Sequence, residues 1–278
     1  MKHTTLGRPR LAALSIIFLW CLPGIFGQSQ ASDAGCFPTA TSGGVVPTTA
    51  FFNFGNTGSL IIKEEYKTPA VSVFGQIDRH FTAVHWPGFY SIGVIVRPTV
   101  LSSLLNINMS ELTNRAVDGL LIDKRFSDLH EQLTSVVGTR EQIDLIERFF
   151  IRLLKHNESG LIGNALHLLE LRPDLGIEQV ASKLGVSQRY LEVRFKHDVG
   201  LSPKTYSLIM RFKAIEEQMR NMSSIRWRNM SFAHLYHDQN HFIKDFKRFT
   251  GHTPSGYLMN SFDVGRSYLS ARSTAWRD

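Results

Sequence analysis

The stretch from Ser187 to Lys196 carries side chains of the types that contact nucleic-acid bases and phosphates. It reads SQRYLEVRFK, and apolar Leu191 and Phe195 recur in it at helical spacing. A helix here would bury the apolar face and expose amide and guanidinium groups, which can hydrogen-bond to base edges, and cations, which neutralise phosphates. The side chains predicted to contact DNA are Ser187, Gln188, Arg189, Glu192, Arg194 and Lys196.

Local signals on both sides of this stretch predict a helix-turn-helix. Ala181 is small enough for two helices to approach, Gly185 suits a tight turn, and Ser187 is a good N-cap. Gly200 follows the segment as a stop signal, so Ser187–Val199 is the predicted recognition helix. The alternative is an ordinary helical hairpin whose charged face is simply solvated.

A phrase of this region occurs twice. FKHDVGLSPKTY begins at Phe195, and FKRFTGHTPSGY begins 51 residues later at Phe246. Each copy has a glycine stop followed by a proline that can begin the next helix. The 18-residue segment from Pro203 to Arg220 would span roughly 27 Å as a helix, enough with its flanking turns to join two recognition helices in successive major grooves. In the second copy, the predicted DNA contacts are Gln239, Asn240, Lys244, Lys247 and Arg248.

Residues 160–258 resemble the DNA-binding domain of the AraC/XylS family of bacterial transcription regulators. The match in the second copy runs through Tyr236, Asp238, Gln239, His241, Phe242, Phe246, Lys247, Phe249, Gly251, Thr253, Pro254 and Tyr257. The resemblance implies two helix-turn-helix units joined by a linker helix, with double-stranded DNA as the partner. Residues 46–156 resemble, in fewer positions, the family's β-rich sensor domain. That likeness implies a small-molecule effector, a homodimer or both, and RNA polymerase as a partner if the protein is an activator.

The second copy departs from the family at its turn. Leu235 stands where glycine is usual, His234 replaces a buried leucine, and Ser231 replaces a small alanine. If the backbone keeps a positive φ, Leu235 is strained. If the turn has rearranged, Leu235 is buried instead. The two alternatives predict opposite effects of Leu235→Gly, and we expect the strained turn, in which this substitution raises stability.

Charge and composition divide the chain into two halves and a leader. Residues 161–278 hold 17 Lys and Arg against 11 Asp and Glu, whereas residues 1–160 are almost balanced, with 14 against 13. A basic half favours a polyanionic partner. The expected fold is α+β, with a small barrel-like β domain followed by an all-α domain. The expected boundaries are 1–45 for a signal-like or extraneous segment, 46–156 for the sensor domain, 157–258 for the DNA-binding domain and 259–278 for a tail.

The first 34 residues conflict with a cytoplasmic DNA-binding role. Three basic residues precede sixteen mostly apolar ones, Leu11 to Phe26, and small residues follow, which is the layout of a secretory signal. We expect a cytoplasmic regulator with a misassigned start or a foreign extension. The alternative is an exported or membrane-tethered binding protein whose helix-turn-helix units have decayed.

Other chemistry finds little support in the sequence. His234, His237 and His241 are closely spaced, but two of them fall in the predicted turn and no cysteine or carboxylate completes a clear ligand set. Neither a nucleophile elbow nor a phosphate-binding or dinucleotide-binding loop is present. We therefore expect no metal, no cofactor and no enzymatic activity.

Overall fold

The computed structural model describes residues 14–20, 39–43, 49–54, 58–61, 65–85, 90–153, 160–219, 235–236 and 238–259. The strands are β1 (Leu14–Trp20), β2 (Thr39–Gly43), β3 (Thr49–Phe54), β4 (Gly58–Ile61), β5 (Glu65–Lys67), β6 (Val71–Phe74), β7 (Phe81–His85), β8 (Tyr90–Val96) and β9 (Ala116–Asp118). The helices are α1 (Pro98–Leu105), α2 (Gly119–Ile122), α3 (Arg125–Ser135), α4 (Thr139–Leu153), α5 (Leu161–Leu171), α6 (Ile177–Lys183), α7 (Gln188–Val199), α8 (Pro203–Met219), α9 (Gln239–Thr250) and α10 (Pro254–Met259), with a 3₁₀ helix at Met109–Leu112.

The described strands of the N-terminal half form two antiparallel sheets. Five strands follow the order β1-β8-β3-β6-β9, and four follow the order β2-β7-β4-β5. The strands are rich in β-branched and aromatic residues, as in VSVF and YSIGVIV, which suits a sheet buried on its faces. The predicted β-rich N-terminal domain is confirmed, and its sheets also include β1 and β2, which precede the expected start at residue 46.

Helices α3 and α4 cover the five-stranded sheet. Phe52 of β3 packs with Phe126 of α3, while Ile146 and Phe150 of α4 are completely buried in the same cluster. The apolar stripe of α4 therefore packs against the β domain.

The C-terminal half has two cores that share helix α8. The first core lies among α5, α6 and α7, and it includes Phe195 and Tyr206. The second contains Phe212 of α8 and Phe246 of α9. Met210 contacts both cores. The fold is therefore α+β, as expected, with the β-rich half first and the helical half second.

Equivalent hydrogen bonds in the two cores show how α8 serves both units. The Tyr206 hydroxyl donates to Oε1 of Glu170 on α5 at 2.7 Å, and the Tyr257 hydroxyl donates to Oε1 of Glu216 on α8 at 2.9 Å. Tyr206 and Tyr257 occupy the same position of the repeated phrase. The start of α8 is thus the counterpart of α10, and its later part is the counterpart of α5.

The leader expected over residues 1–45 contributes two of the strands. Leu14–Trp20 pairs antiparallel with β8 along its whole length, and Thr39–Gly43 pairs with β7. An apolar run suits both a secretory signal and a sheet strand, so the separate N-terminal segment stays a prediction. Within the described residues, the structure has no helix that is long and apolar enough to cross a membrane.

Candidate nucleic-acid interface

The bounds and the inner face of helix α7 follow from the local residues that predict the helix. Gly185 has φ +68°, and a Cβ built on it would meet nothing within 4 Å, so only the backbone conformation requires glycine there. The Ser187 hydroxyl accepts a hydrogen bond from the Tyr190 N–H at 3.3 Å and caps the helix. Leu191 and Phe195 are completely buried and anchor the inner face.

The outer face of α7 presents most of the predicted DNA contacts. Gln188, Arg189, Glu192, Arg194 and Lys196 are all exposed. The Gln188 amide donates to Oε1 of Glu192 at 2.8 Å, and Arg194 forms an ion pair with Asp198 at 3.3 Å. These bonds run along the helix surface and are solvent-exposed, so their net contribution to stability is small.

Two exposed apolar residues of α7 were not among the predicted contacts. Tyr190 is 51% exposed and Val193 is 62% exposed, on the same outer surface as Arg189. The sequence could have indicated these two contacts, because an apolar side chain within an otherwise polar helical face often marks a binding surface. The spacing of Leu191 and Phe195 already implies that both point outward.

Helix α9 repeats this design in the second unit. Asp238 caps it, because Oδ1 accepts from the His241 N–H at 2.9 Å while Oδ2 lies 2.8 Å from the His241 ring nitrogen Nδ1. Phe242, Phe246 and Phe249 are buried beneath it. The exposed predicted contacts on this helix are Gln239, Asn240, Lys244 and Lys247.

Arg248 is the predicted contact that lies apart from this exposed surface. Its guanidinium group forms an ion pair with the buried carboxylate of Asp78, and its Nε donates to the Asp78 carbonyl oxygen at 3.1 Å. Asp78 belongs to the N-terminal domain. Arg248 therefore joins the two domains, an interaction between residues 170 apart in the chain.

Asp245 lies on the inner side of α9, among several cations. Burial raises the pKa of its carboxyl group, and the nearby charges of Arg248, Arg211, His241 and Lys244 oppose that rise. Burial also raises the pKa of the neighbouring Tyr236 hydroxyl. Helix α9 thus contains a partly desolvated acid beside its cations.

The divergent turn of the second unit is described only at its end. Leu235 is half-buried against the second core, and its carbonyl oxygen accepts from Nη1 of Arg211 at 3.1 Å. This packing corresponds to the rearranged alternative, in which Leu235 fills space in the core. Ser231, His234 and His237 lie outside the described residues, as does the helix expected to precede α9.

Comparisons with known proteins agree with this arrangement. A family model described as a helix-turn-helix domain matches residues 180–260, which include α7, α8 and α9. No curated protein matches the chain.

Solved structures give distant similarities. Fatty-acid-bound ToxT from Vibrio cholerae is 11% identical, with a TM-score of 0.47 over 93% of this chain and 97% of that one. ToxT from Vibrio cholerae O395 is also 11% identical, with a TM-score of 0.46 over 82% and 98% of the two chains. The AraC-like activator CuxR is 13% identical, with a TM-score of 0.26 over 62% and 66%.

The helix-turn-helix match lies in the C-terminal part of the chain and covers less than half of its length. It spans both copies of the repeated phrase, and the described helices α7 and α9 carry the capped, outward-facing polar surfaces that such a domain requires. The chain therefore contains a helix-turn-helix domain over residues 180–260.

Proposed function

We propose that the chain recognises a specific double-stranded DNA sequence by placing α7 and α9 in successive turns of the major groove. The observation that carries this proposal is the outer face of α7. Its N-terminal half exposes Gln188, Arg189, Tyr190 and Val193, while its inner face is fixed by completely buried apolar residues. A recognition helix contacts base edges with this part of its surface.

The length of α8 supports contact with two groove segments. Its 17 residues correspond to about 25 Å of helix at 1.5 Å per residue. Successive major-groove turns on one face of the duplex recur about every 34 Å. If the chain on either side of α8 supplies the difference, a single chain would contact one face of the DNA twice.

The side chains of the two helices divide into those that read bases and those that contact phosphates. Gln188 and Arg189 can make paired hydrogen bonds to purine edges, and Tyr190 and Val193 can contact a thymine methyl group. On α9, Gln239 and Asn240 occupy the corresponding N-terminal end. Lys196, Lys244 and Lys247 are compact exposed cations and would neutralise phosphates.

The N-terminal domain would sense a small molecule, form a homodimer, or do both, while the regulator works in the cytoplasm without enzymatic activity. This role for the N-terminal domain is supported by its separate core and its charge. The domain has its own core and a nearly balanced charge, in contrast to the basic C-terminal half. Contact with RNA polymerase would follow if the protein activates transcription.

Selection of binding sites from random DNA with the full chain tests the proposal. On the selected site, Arg189→Ala should weaken binding by about 1–3 kcal/mol and relax the preference at one or two positions. Lys196→Ala is the matched control from the same exposed face. It should weaken binding to all sequences alike. It should also reduce the slope of log affinity against log salt concentration by about one. Equal losses for Arg189→Ala on selected and scrambled DNA would rule out base reading by this residue.

The signal-like first 34 residues support a second candidate, an exported binding protein. Mass spectrometry of the protein from its native cell, with separate analysis of the cytoplasmic and exported fractions, distinguishes the two. An intact cytoplasmic N-terminus supports the regulator, and a cleaved, exported chain that binds no DNA supports the alternative.

A further inference from the structure

One rigid part of the N-terminal domain contacts the second helix-turn-helix unit and the end of the first. It consists of residues 76–80 and 109–114, and we refer to it as the docking rim. The Asp78 N–H donates to Oδ1 of Asn114 at 3.0 Å, and the Asn114 N–H donates to the Gln76 carbonyl oxygen at 3.0 Å. Ile77 and Met109 are buried in the N-terminal domain. The two segments of the rim are therefore held together and anchored in the same domain.

The first contact is at the C-terminal end of α7. Gly200 follows the helix with φ +91°, and its carbonyl oxygen accepts a hydrogen bond from the Thr113 hydroxyl at 2.6 Å. A Cβ built on Gly200 would lie 2.7 Å from the Met109 carbonyl oxygen. The approach is so close that only glycine fits, and it joins the end of the first recognition helix directly to the rim.

The second contact is at the C-terminal end of α9. The Arg248 carbonyl oxygen, in the last turn of the helix, accepts from the His80 N–H at 2.9 Å. Carbonyl groups in the last turn have no partner within their own helix, so the rim supplies one. The Arg248 side chain binds Asp78, and a Cβ on Gly251 would lie 3.2 Å from the His80 ring.

The two contacts use corresponding positions of the repeated phrase. Gly200 and Gly251 are 51 residues apart, as the two copies are, and each ends its recognition helix in a left-handed conformation. These hydrogen bonds and close approaches involve the C-terminal ends of the helices. The N-terminal ends, with Gln188 and Arg189 on α7 and Gln239 and Asn240 on α9, stay exposed.

We infer that the docking rim sets the distance between the two recognition helices, with Asp78, His80 and Thr113 acting as positioning residues for DNA binding. The inference rests on the proposed two-groove function. A single rigid body that holds both helix ends fixes their separation while leaving their reading surfaces open. Without these contacts, the separation would depend on α8, on the segment that follows it and on the packing of α1 against α7.

The test that does not depend on DNA is a distance measurement in the full chain. Spin labels carried by unnatural amino acids at Lys196 and Lys247, which are exposed and equivalent in the two copies, leave both native cysteines in place. Pulsed electron paramagnetic resonance should give one narrow distance distribution. Asp78→Asn combined with Thr113→Val should shift or broaden it, whereas Thr113→Ser, which keeps the hydroxyl group, should not.

Asp174→Asn is the matched control, because it weakens an arginine–aspartate pair that lies within one domain. It should leave the distribution unchanged. Circular dichroism confirms that each variant is folded, and if the double variant does not fold, Thr113→Val and Thr113→Ser alone form the decisive pair. An unchanged distribution in a folded Thr113→Val protein, or in the folded double variant, would overturn the inference.

Binding to spaced DNA sites connects the geometry to function. Insertion of two base pairs between the two contacted segments should weaken binding by the wild type strongly and by the double variant much less. If the variant instead binds both DNAs more tightly by the same factor, the rim restrains binding rather than positioning the helices, and the inference fails. If the distances change as expected but no variant or wild type binds DNA, the proposed function fails while the positioning role stands.

Discussion

At the scale of single residues, three glycines are required for two different reasons, a backbone conformation with positive φ and a close approach of neighbouring atoms. Gly185, Gly200 and Gly251 all have positive φ, a conformation that costs other L-residues roughly 1–2 kcal/mol. Gly185 has open space around its Cα hydrogens, whereas Gly200 is pressed against the Met109 carbonyl group. The conformational and the steric requirement can therefore be measured apart.

Replacement of these glycines by alanine should separate the two costs. Gly185→Ala should lower the free energy of unfolding by about 1–2 kcal/mol through strain alone. Gly200→Ala should cost more, since its Cβ also meets backbone atoms at 2.7 Å that cannot move aside cheaply. Chemical denaturation monitored by circular dichroism gives both values. Gly160→Ala, with φ −78° and nothing within 4 Å, is the control: it meets neither cost and loses only the preference of an N-cap for glycine, so it should cost less than Gly185→Ala. Equal losses of unfolding free energy for Gly185→Ala and Gly200→Ala would contradict the close approach of the Met109 carbonyl group to Gly200.

Leu235 gives a second residue-scale prediction. Because its side chain packs against the second core, Leu235→Gly should lower the free energy of unfolding by roughly 2–4 kcal/mol through a cavity and added backbone freedom. Thermal melting of the full chain measures this change. Leu171→Gly is a useful comparison at the end of α5, where leucine is 64% exposed, and it should cost less. A higher melting temperature for Leu235→Gly would show that the turn is strained after all.

At the scale of elements, α9 has an exposed cationic side and a half-buried acid, Asp245. Asp245 has a raised pKa, so the folded state holds its proton more tightly than the unfolded state does. Stability from this group is therefore greatest below its ordinary pKa and falls as the pH rises through the higher, folded-state pKa. At neutral pH the ionised carboxylate is a net cost.

Asp245→Asn should consequently raise the melting temperature at about pH 7, and the gain should shrink as the pH falls towards about 4. Melting curves of variant and wild type at several pH values provide the measurement. Asp174→Asn, whose carboxylate is more exposed and pairs with Arg172, should show no such gain. A lower melting temperature for Asp245→Asn at neutral pH would mean that attraction to the surrounding cations outweighs burial.

At the scale of the whole molecule, the described residues of the helical half form two cores, and the N-terminal domain contacts the C-terminal ends of both α7 and α9. A fragment that begins at Gly160 keeps both cores, so it should fold and bind the selected DNA, more weakly if the full chain dimerises. It should also discriminate less between sites of different spacing, because the docking rim is absent. Electrophoretic or fluorescence titrations against the spaced sites measure both effects. A helical fragment without salt-sensitive DNA binding would support the decayed-module alternative.

The parts that sequence reasoning predicted are those with local signals. The turn at Gly185, the cap at Ser187 and the stop at Gly200 lie within 16 residues, so the bounds of α7 follow from neighbouring residue types. The partner of Arg248 is 170 residues away, and nothing local to Arg248 indicates it. Strand β9 has three residues and therefore no readable alternation, and the apolar run that forms β1 has the same composition as a secretory signal.

Helix α8 has a consequence for how the two units could ever be separated. Its first turns complete the core of the first unit, and Glu216 in its later part receives the hydrogen bond that Glu170 receives in that first unit. The repeat is thus a duplication in which the end of one copy is the beginning of the other. Deletion of either copy at its own borders would remove part of α8, and with it side chains that the core of the other copy needs. A second unit that bound DNA poorly would therefore still be needed to stabilise the core of the first unit.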